Sequence, residues 1–235
     1  MQKLIVEYRG NLIDTSNIGL CIKERPHIVT SELDVETIEV QGRHGALHIE
    51  NSYKDRIFSI ELNILDSNLL INLSEIKEIL LDSTKLLFSD NLKYIYIVKA
   101  VEIGDIENEI KEYGSFIVEF TVDPFNYTRR GQEMLPLTSD EINIGGYISR
   151  PLLKLNLSGG SAILQINDNR IVLKEVPTPV FIDFENGLCY SENPMINLLE
   201  KMEGDAIMEL RRGKHSIKNI SGINSIEIMT REGWR

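Results

Sequence analysis

Apolar and polar residues alternate along much of this chain. From Arg56 to Ile64, Phe58, Ile60, Leu62 and Ile64 fall on one side, and Ser59, Glu61 and Asn63 on the other. A period of two with polar alternates predicts a half-buried strand. Ser115 to Val122 repeats it, with Phe116, Val118, Phe120 and Val122 against Glu119 and Thr121. Tyr94 to Val101 is rich in β-branched and aromatic residues and reads as another strand. One stretch keeps a different period. Ser74 suits an N-cap, Glu75 a first turn, and Ile76, Ile79 and Leu80, with Ser83 beyond, follow helical spacing. Leu81 adds apolar surface, so this helix is expected to pack on a sheet. Lys85 to Phe88 reads as a short strand, with a turn at Ser89-Asp90-Asn91.

The second half resumes the two-residue period. Leu153, Leu155 and Leu157 alternate with Lys154, Asn156 and Ser158, and Ala162, Leu164 and Ile166 continue after Gly159-Gly160. Asn167-Asp168-Asn169 turns into Ile171-Val172-Leu173. Asn186-Gly187, between Val180–Phe184 and Leu188–Tyr190, is a strong hairpin signal. Further strands are expected at Ala206–Leu210, Ser216–Ile220 and Ser225–Met229, separated by Gly213 and Gly222. Short strands with turns every ~8–12 residues predict a β-sandwich. Between the halves, Asp123-Pro124-Phe125-Asn126-Tyr127, Pro136 and Gly145-Gly146 read as a polar linker. The chain is therefore mainly β, in two domains, 1–135 and 136–235.

Charge sharpens this division. The 235 residues carry a formal net charge of −11. Residues 1–135 hold 14 Lys+Arg and 23 Asp+Glu, a net of −9, and residues 136–235 hold 11 and 13, a net of −2. Such acidity argues against electrostatic binding of nucleic acid or anionic lipid. The stretch Glu102–Gly114 alone has five acids and one lysine. It reads as a solvated hairpin or loop, or as a projecting element facing a charged partner or channel. No apolar stretch reaches the roughly 18 residues of a membrane span. The N-terminus lacks the apolar core of a signal peptide, so the chain is expected to stay in a reducing cytoplasm until something else moves it. Cys21 and Cys189 fit no CxxC pattern and are expected to be buried free thiols. The Asn-x-Ser/Thr matches at Asn72, Asn126, Asn156 and Asn219 are then chance.

Catalytic and metal-binding patterns are sparse. His44 and His48 sit four apart, but Gly42 and Gly45 disfavour a helix, and on a strand they would be about 13 Å apart, too far for one ion. The expected structure is a turn with polar side chains. Asp183 and Glu185 are the one carboxylate pair suited to glycoside hydrolysis, and the exposed face of a sandwich explains them better, with Ile182 and Phe184 buried. No G-x-S-x-G elbow, Walker loop or G-x-G-x-x-G occurs. Trp234, with Tyr190 and Tyr147, offers the only stacking candidates for a sugar. Arg211-Arg212-Gly213-Lys214-His215 reads as a basic hairpin turn. No catalytic residue, cofactor or metal is expected.

Several segments together resemble the phage distal tail protein family. Gly42-Arg43-His44-Gly45 with Tyr53-Lys54-Asp55-Arg56 is similar to its G-R-x-G … Y-x-D-R segment. Lys85–Asp90 with Tyr94–Ala100 resembles its L-x-F-S-D-D-P … Y-Y-x-A-K segment, with Asn91-Leu92 replacing an aspartate and a proline. Gly114 to Tyr127 resembles the G-x-F-x-V-x-F-x-x-x-P-F-x-Y run that closes the family's first domain. Gly213–Ile217, Ser221-Gly222 and Gly233-Trp234-Arg235 look like the end of a galectin-like second domain.

The resemblance implies a non-enzymatic virion component at the tail tip, assembled in the bacterial host cytoplasm. Six first domains would form a ring around the channel through which DNA leaves without specific binding. The galectin-like second domains would point outward and could carry receptor-binding proteins. The hexamer would join the tail tube protein above to the tail-fibre or tail-lysin protein below. Asp105, Glu107 and Glu109 are then candidate channel-lining residues, and subunit neighbours would cover strand edges of the first domain. The competing reading is a carbohydrate-binding β-sandwich module in host-surface adhesion, which a glycan array would separate from it.

Overall fold

Period-two segments pair into sheets, and their apolar sides meet in two separate cores. The structure is a computed structural model; it describes residues 2–24, 26–27, 29–65, 69–105, 107–110, 113–192 and 195–235, with backbone alone at 65, 69–72, 107–110 and 113. The chain divides into a first unit, 1–126 with Arg235, and a second, Tyr127–Trp234.

The first unit contains β1 (Leu4–Tyr8), β2 (Asn11–Asp14), β3 (Leu20–Ile22), β4 (Leu33–Ile38), β5 (Leu47–Tyr53), β6 (Arg56–Leu65), α1 (Leu69–Leu81), β7 (Lys85–Phe88), β8 (Tyr94–Ile103), β9 (Glu107–Ile110) and β10 (Tyr113–Thr128). Its main sheet runs β3-β6-β10-β8-β7-β1-β2, with β9 also paired to β10. The register sets Phe58 opposite Phe120, Ile60 opposite Val118 and Leu62 opposite Phe116. All six are buried. A slip of one residue would turn every one of them to solvent, so this pairing is firmly specified. Phe58, Phe88 and Tyr96 form an aromatic cluster with centroids 4.9–5.9 Å apart.

Helix α1 starts earlier than the Ser74 cap predicts. The apolar run from Leu69 to Leu73 continues its spacing, so Ser74 lies inside it. Ile76, Ile79 and Leu80 are buried, while Leu81 is about half exposed and adds nothing to the core. Ser83 follows the helix, and its Oγ donates to the Leu80 carbonyl at 2.7 Å. The expected linker is also different. β10 is one 16-residue strand that runs through Pro124 and Phe125. The β6 ladder ends at Val122 opposite Arg56, so no rung of it needs the N–H that Pro124 lacks. The change of unit follows Asn126, inside this strand, whereas the sequence places it at 135/136.

The second unit contains β11 (Leu135–Pro136), β12 (Glu141–Ser149), β13 (Leu152–Leu157), β14 (Ala162–Ile166), β15 (Asn169–Leu173), β16 (Val180–Asp183), β17 (Leu188–Glu192), β18 (Met195–Asn197), β19 (Met202–Glu203), β20 (Leu210–Ser221), β21 (Ile223–Met229) and β22 (Glu232–Trp234). The sheets β19-β15-β14-β20-β12-β22 and β11-β21-β13-β16-β17-β18 enclose one apolar core. This is a β-sandwich. Two expected strands merge or fade. Residues 206–209 are irregular, and Gly213 lies within β20 instead of ending a strand. Gly145 and Gly146 lie within β12. A Cβ on Gly146 would come within 2.7 Å of the Gly233 carbonyl, so only glycine fits there.

Cys189 is fully buried, and burial pushes its thiol pKa up to about 11. It should resist iodoacetamide at pH 8 until the second unit unfolds, which mass spectrometry of labelled peptides would read. Cys21 is only partly buried, against expectation, because β3 is an edge strand that, among the described residues, pairs with β6 alone.

Candidate functional site

Two strands, β4 and β5, leave the sheet of the first unit and, among the described residues, pair only with each other. In this arm, Glu36 faces Ile49, Thr37 faces His48 and Ile38 faces Leu47. Gly42 and Gly45 take φ of +83° and +78° in the connecting turn, with open space around both. Alternation places Glu36, Ile38, Leu47 and Ile49 on one face, and Val35, Thr37, His48 and Glu50 on the other. Every residue from Val35 to Ser52 outside the turn is exposed. Thr37 Oγ1 and His48 Nδ1 sit 3.1 Å apart, so His48 belongs to a cross-strand polar pair. A free two-stranded ribbon is marginally stable in water. An arm whose one face is apolar except for Glu36 therefore needs something to rest on.

The arm's root is more rigid. Arg56 is 5% exposed. Its Nη2 donates to the Asp123 carbonyl at 3.1 Å and to Asn126 Oδ1 at 2.7 Å, its Nε to the same Asp123 carbonyl at 3.3 Å, and its Nη1 to the Val29 carbonyl at 3.4 Å. The guanidinium also lies 5.4 Å from the Tyr96 ring centre. Beside it, Ser31 Oγ donates to the Pro124 carbonyl. Tyr53 meets Phe125 edge-on at 5.5 Å, and Arg235 donates to the Tyr53 hydroxyl at 2.5 Å. Lys99 contacts Asp55 at 2.6 Å and Asp123 at 3.4 Å. Burial works to lower the Lys99 pKa, but the Asp55 bond and the two negative charges hold it above its ordinary value.

These contacts explain the sequence motifs. Tyr53, Asp55 and Arg56 come from one, Tyr96 and Lys99 from the next, and Pro124 and Phe125 from the third. They converge where the arm leaves the sheet. The motif residues thus build the clamp that aims the arm.

The acidic stretch becomes a hairpin. Gly104 N donates to the Ile117 carbonyl at 2.8 Å, and β9 then pairs back on β10, with Glu107 opposite Ser115. Asp105 is exposed at its start. Glu107 and Glu109 lie on β9, and their side chains are outside the described part, as are residues 106, 111 and 112.

In the second unit, Asp183 is 5% exposed, not the surface acid that alternation predicts. Arg231 Nη1 donates to Asp183 Oδ1 at 2.7 Å and to Glu185 Oε2 at 2.9 Å, and its Nη2 to Asp183 Oδ2 at 3.3 Å. Asn186 donates to the same carboxylate through its backbone and side chain. Burial alone would raise the Asp183 pKa, yet Arg231 and Asn186 hold it below the usual carboxylate range. Two carboxylates gripped by one guanidinium form a structural clasp between the β16 end and the β21–β22 turn.

The candidate stacking residues do not share a platform. Tyr190 lies on β17 and stacks on Phe181 at 5.2 Å, while Tyr147 and Trp234 lie in the opposite sheet under Arg211 and Arg212. The basic run is absorbed locally. Arg212 bonds the Gly145 carbonyl at 2.9 Å, and Arg211 bonds Glu209 at 2.6 Å. His215 Nδ1 accepts from Asn167 Nδ2 at 3.0 Å, so its Nε2 carries the proton and donates to the Arg211 carbonyl at 2.6 Å. Among the described residues, no group of three His, Cys, Asp or Glu could hold a metal ion, and no helix is long and apolar enough to cross a membrane.

Residues 12–122 match the family described as phage tail protein RIFT-related domain. That span contains the arm and most of its root. The Dit protein of phage SPP1, described as a paradigm of the hub adsorption apparatus in phages infecting Gram-positive bacteria, is similar in fold, with a TM-score of 0.66 at 12% identity over 97% of both chains. A chain of the phage P2 baseplate in its activated conformation with calcium aligns at TM-score 0.60 and 14% identity, over 97% of this chain and 96% of that one. The corresponding strontium structure gives 0.53 and 12%, with the same coverage. No curated protein matches the chain by sequence.

Proposed function

We propose that this chain, a phage tail protein whose first unit carries the RIFT-related domain and whose whole length has the fold of siphophage hub proteins, builds the distal hub of a tail. Six first domains close into a ring around the DNA channel. The hub joins the tail tube protein to the tail-fibre or tail-lysin protein, and the galectin-like second domains face outward, where receptor-binding proteins attach. The hub acts at the virion tail tip after assembly in the host cytoplasm. Its work is mechanical, with no chemical step.

The observation that carries this reading is the arm. It has a face that is apolar except for Glu36, and among the described residues no other strand of its unit pairs with it, while its root is clamped by a buried arginine and an aromatic pair. Rigid aim is of use only if the arm has a fixed target. In a closed ring that target is the next copy, repeated six times. Ile38, Leu47 and Ile49 are 37–46% exposed, so covering what remains of each would contribute about 1 kcal/mol. Ile49→Lys should therefore convert large assemblies to single chains in light scattering and leave the melting temperature within a few degrees. An unchanged mass would show that the arm does not close the ring.

Acidic hairpins from six copies would line the passage. Asp105, Glu107 and Glu109 repel phosphates and keep DNA from adhering as it leaves. Replacing all three by lysine should slow DNA ejection several-fold at low salt, and less at 0.15 M, where screening acts over about 8 Å. Ejection at the native rate, with these residues outside the channel in an assembled tail, would remove them from this role.

A further inference from the structure

One sheet of the second unit ends at β18, and the hydrogen-bond phase of that strand shows what its outer side offers. Leu198 N donates to the Cys189 carbonyl at 2.7 Å. The register then sets Asn197 opposite Tyr190, Ile196 opposite Ser191 and Met195 opposite Glu192. Antiparallel partners alternate between those that exchange both backbone bonds and those that exchange none. The Leu198–Cys189 bond sets the phase, so Ile196 and Ser191 are the next bonded pair. Met195 and Asn197 consequently turn their N–H and C=O groups away from β17. Among the described residues, no further strand receives them.

Natural edges are usually blunted by Lys, Pro or a bulge. Met195-Ile196-Asn197 carries none of these within the strand, and all three residues are exposed. Met195 is 78% exposed and Ile196 45%. Leu199 extends this apolar strip into the following turn at 38%. Acids flank it. Glu192 faces Met195, and Glu200 lies in the turn Leu199–Lys201. Lys201 does not neutralise them, because its ammonium donates to the Glu175 carbonyl at 2.8 Å. Among the described residues, neither Glu192 nor Glu200 has a cation within reach.

We propose that β18 is a docking edge, which takes an extended strand of alternating basic and apolar residues from another protein. The partner's backbone continues the ladder through Met195 and Asn197. Its apolar side chains fall on the Ile196 face, and its cations fall on the Met195 face, where they meet Glu192 and their aliphatic stems cover Met195. Strand addition of this kind draws affinity from main-chain bonds and specificity from alternate side chains. Occupancy of this edge does not depend on ring closure, since every group involved lies in the second unit.

The test is amide hydrogen exchange of the full chain, resolved by residue, with an acetylated nine-residue peptide alternating lysine and valine. Exchange at Met195 and Asn197 should slow at least tenfold, while Ile196, already bonded to β17, should not change. A peptide alternating glutamate and valine should have no effect. Met195→Pro removes only an outward N–H, so it should preserve the melting temperature and abolish protection at Asn197. Three results would overturn the proposal. They are no slowing with excess lysine–valine peptide, equal slowing by both peptides, and peptide-free protection that rises with protein concentration, which would mean that a second copy fills the edge.

Discussion

Arg56→Met should destabilise the first unit by about 3–4 kcal/mol and free the arm. The side chain is buried, and its guanidinium serves the carbonyls of Val29 and Asp123 and the amide oxygen of Asn126. Methionine fills similar space but leaves those acceptors without a donor. A buried group so stranded costs roughly 1–3 kcal/mol, and the lost charge-assisted bonds sit at the upper end of that range. The stacking over Tyr96 is lost as well. The urea midpoint should fall, and protease cleavage between residues 32 and 53 should become faster than cleavage elsewhere in the chain. Arg56→Lys should be intermediate, since one ammonium keeps the charge but cannot span three acceptors in a plane. If Arg56→Met leaves both the urea curve and arm cleavage unchanged, the root does not hold the arm.

The second large effect belongs to Asp183. Asp183→Ala should cost about 3–5 kcal/mol, the usual penalty for stranding one partner of a buried ion pair. Arg231 would keep only Glu185, and the Asn186 turn would lose its acceptor. The pair also predicts the pH response. The folded pKa of Asp183 lies below its unfolded value, which is near 3.9. The folded state therefore binds fewer protons at this site. Its contribution is complete above about pH 4 and is lost as pH falls through the folded pKa. Acid unfolding of the second unit should be shallower in Asp183→Asn than in the parent over that range. Parallel acid curves for the two proteins would exclude Asp183 as the titrating group.

Strands with one buried face are legible in the amino-acid pattern, because burial and alternation coincide in β6 and β10. The Asn186-Gly187 hairpin is legible for a local reason, the backbone its turn demands, and Gly187 does take φ of +65°. The arm is hidden. With both faces exposed, Leu33–Ile38 and Leu47–Tyr53 follow no inside–outside rule, and only the glycines of their turn stand out. Its root is hidden for another reason. Arg56 meets partners 67 and 70 residues away, and motif resemblance names those residues without showing that they touch. Asp183 reads as a surface acid because its partner, Arg231, lies 48 residues away, past five further strands. Alternation counts a charge as exposed unless its counter-ion is visible.

Ring closure is the claim on which arm, root and acidic hairpin all depend, and the mass of the native assembly tests it most directly. One chain is 26.8 kDa, so six make about 161 kDa. Light scattering on the purified protein, across concentrations up to the millimolar range, should reveal a species of that mass that Ile49→Lys abolishes. A single chain at every concentration, in parent and variant alike, would contradict the account.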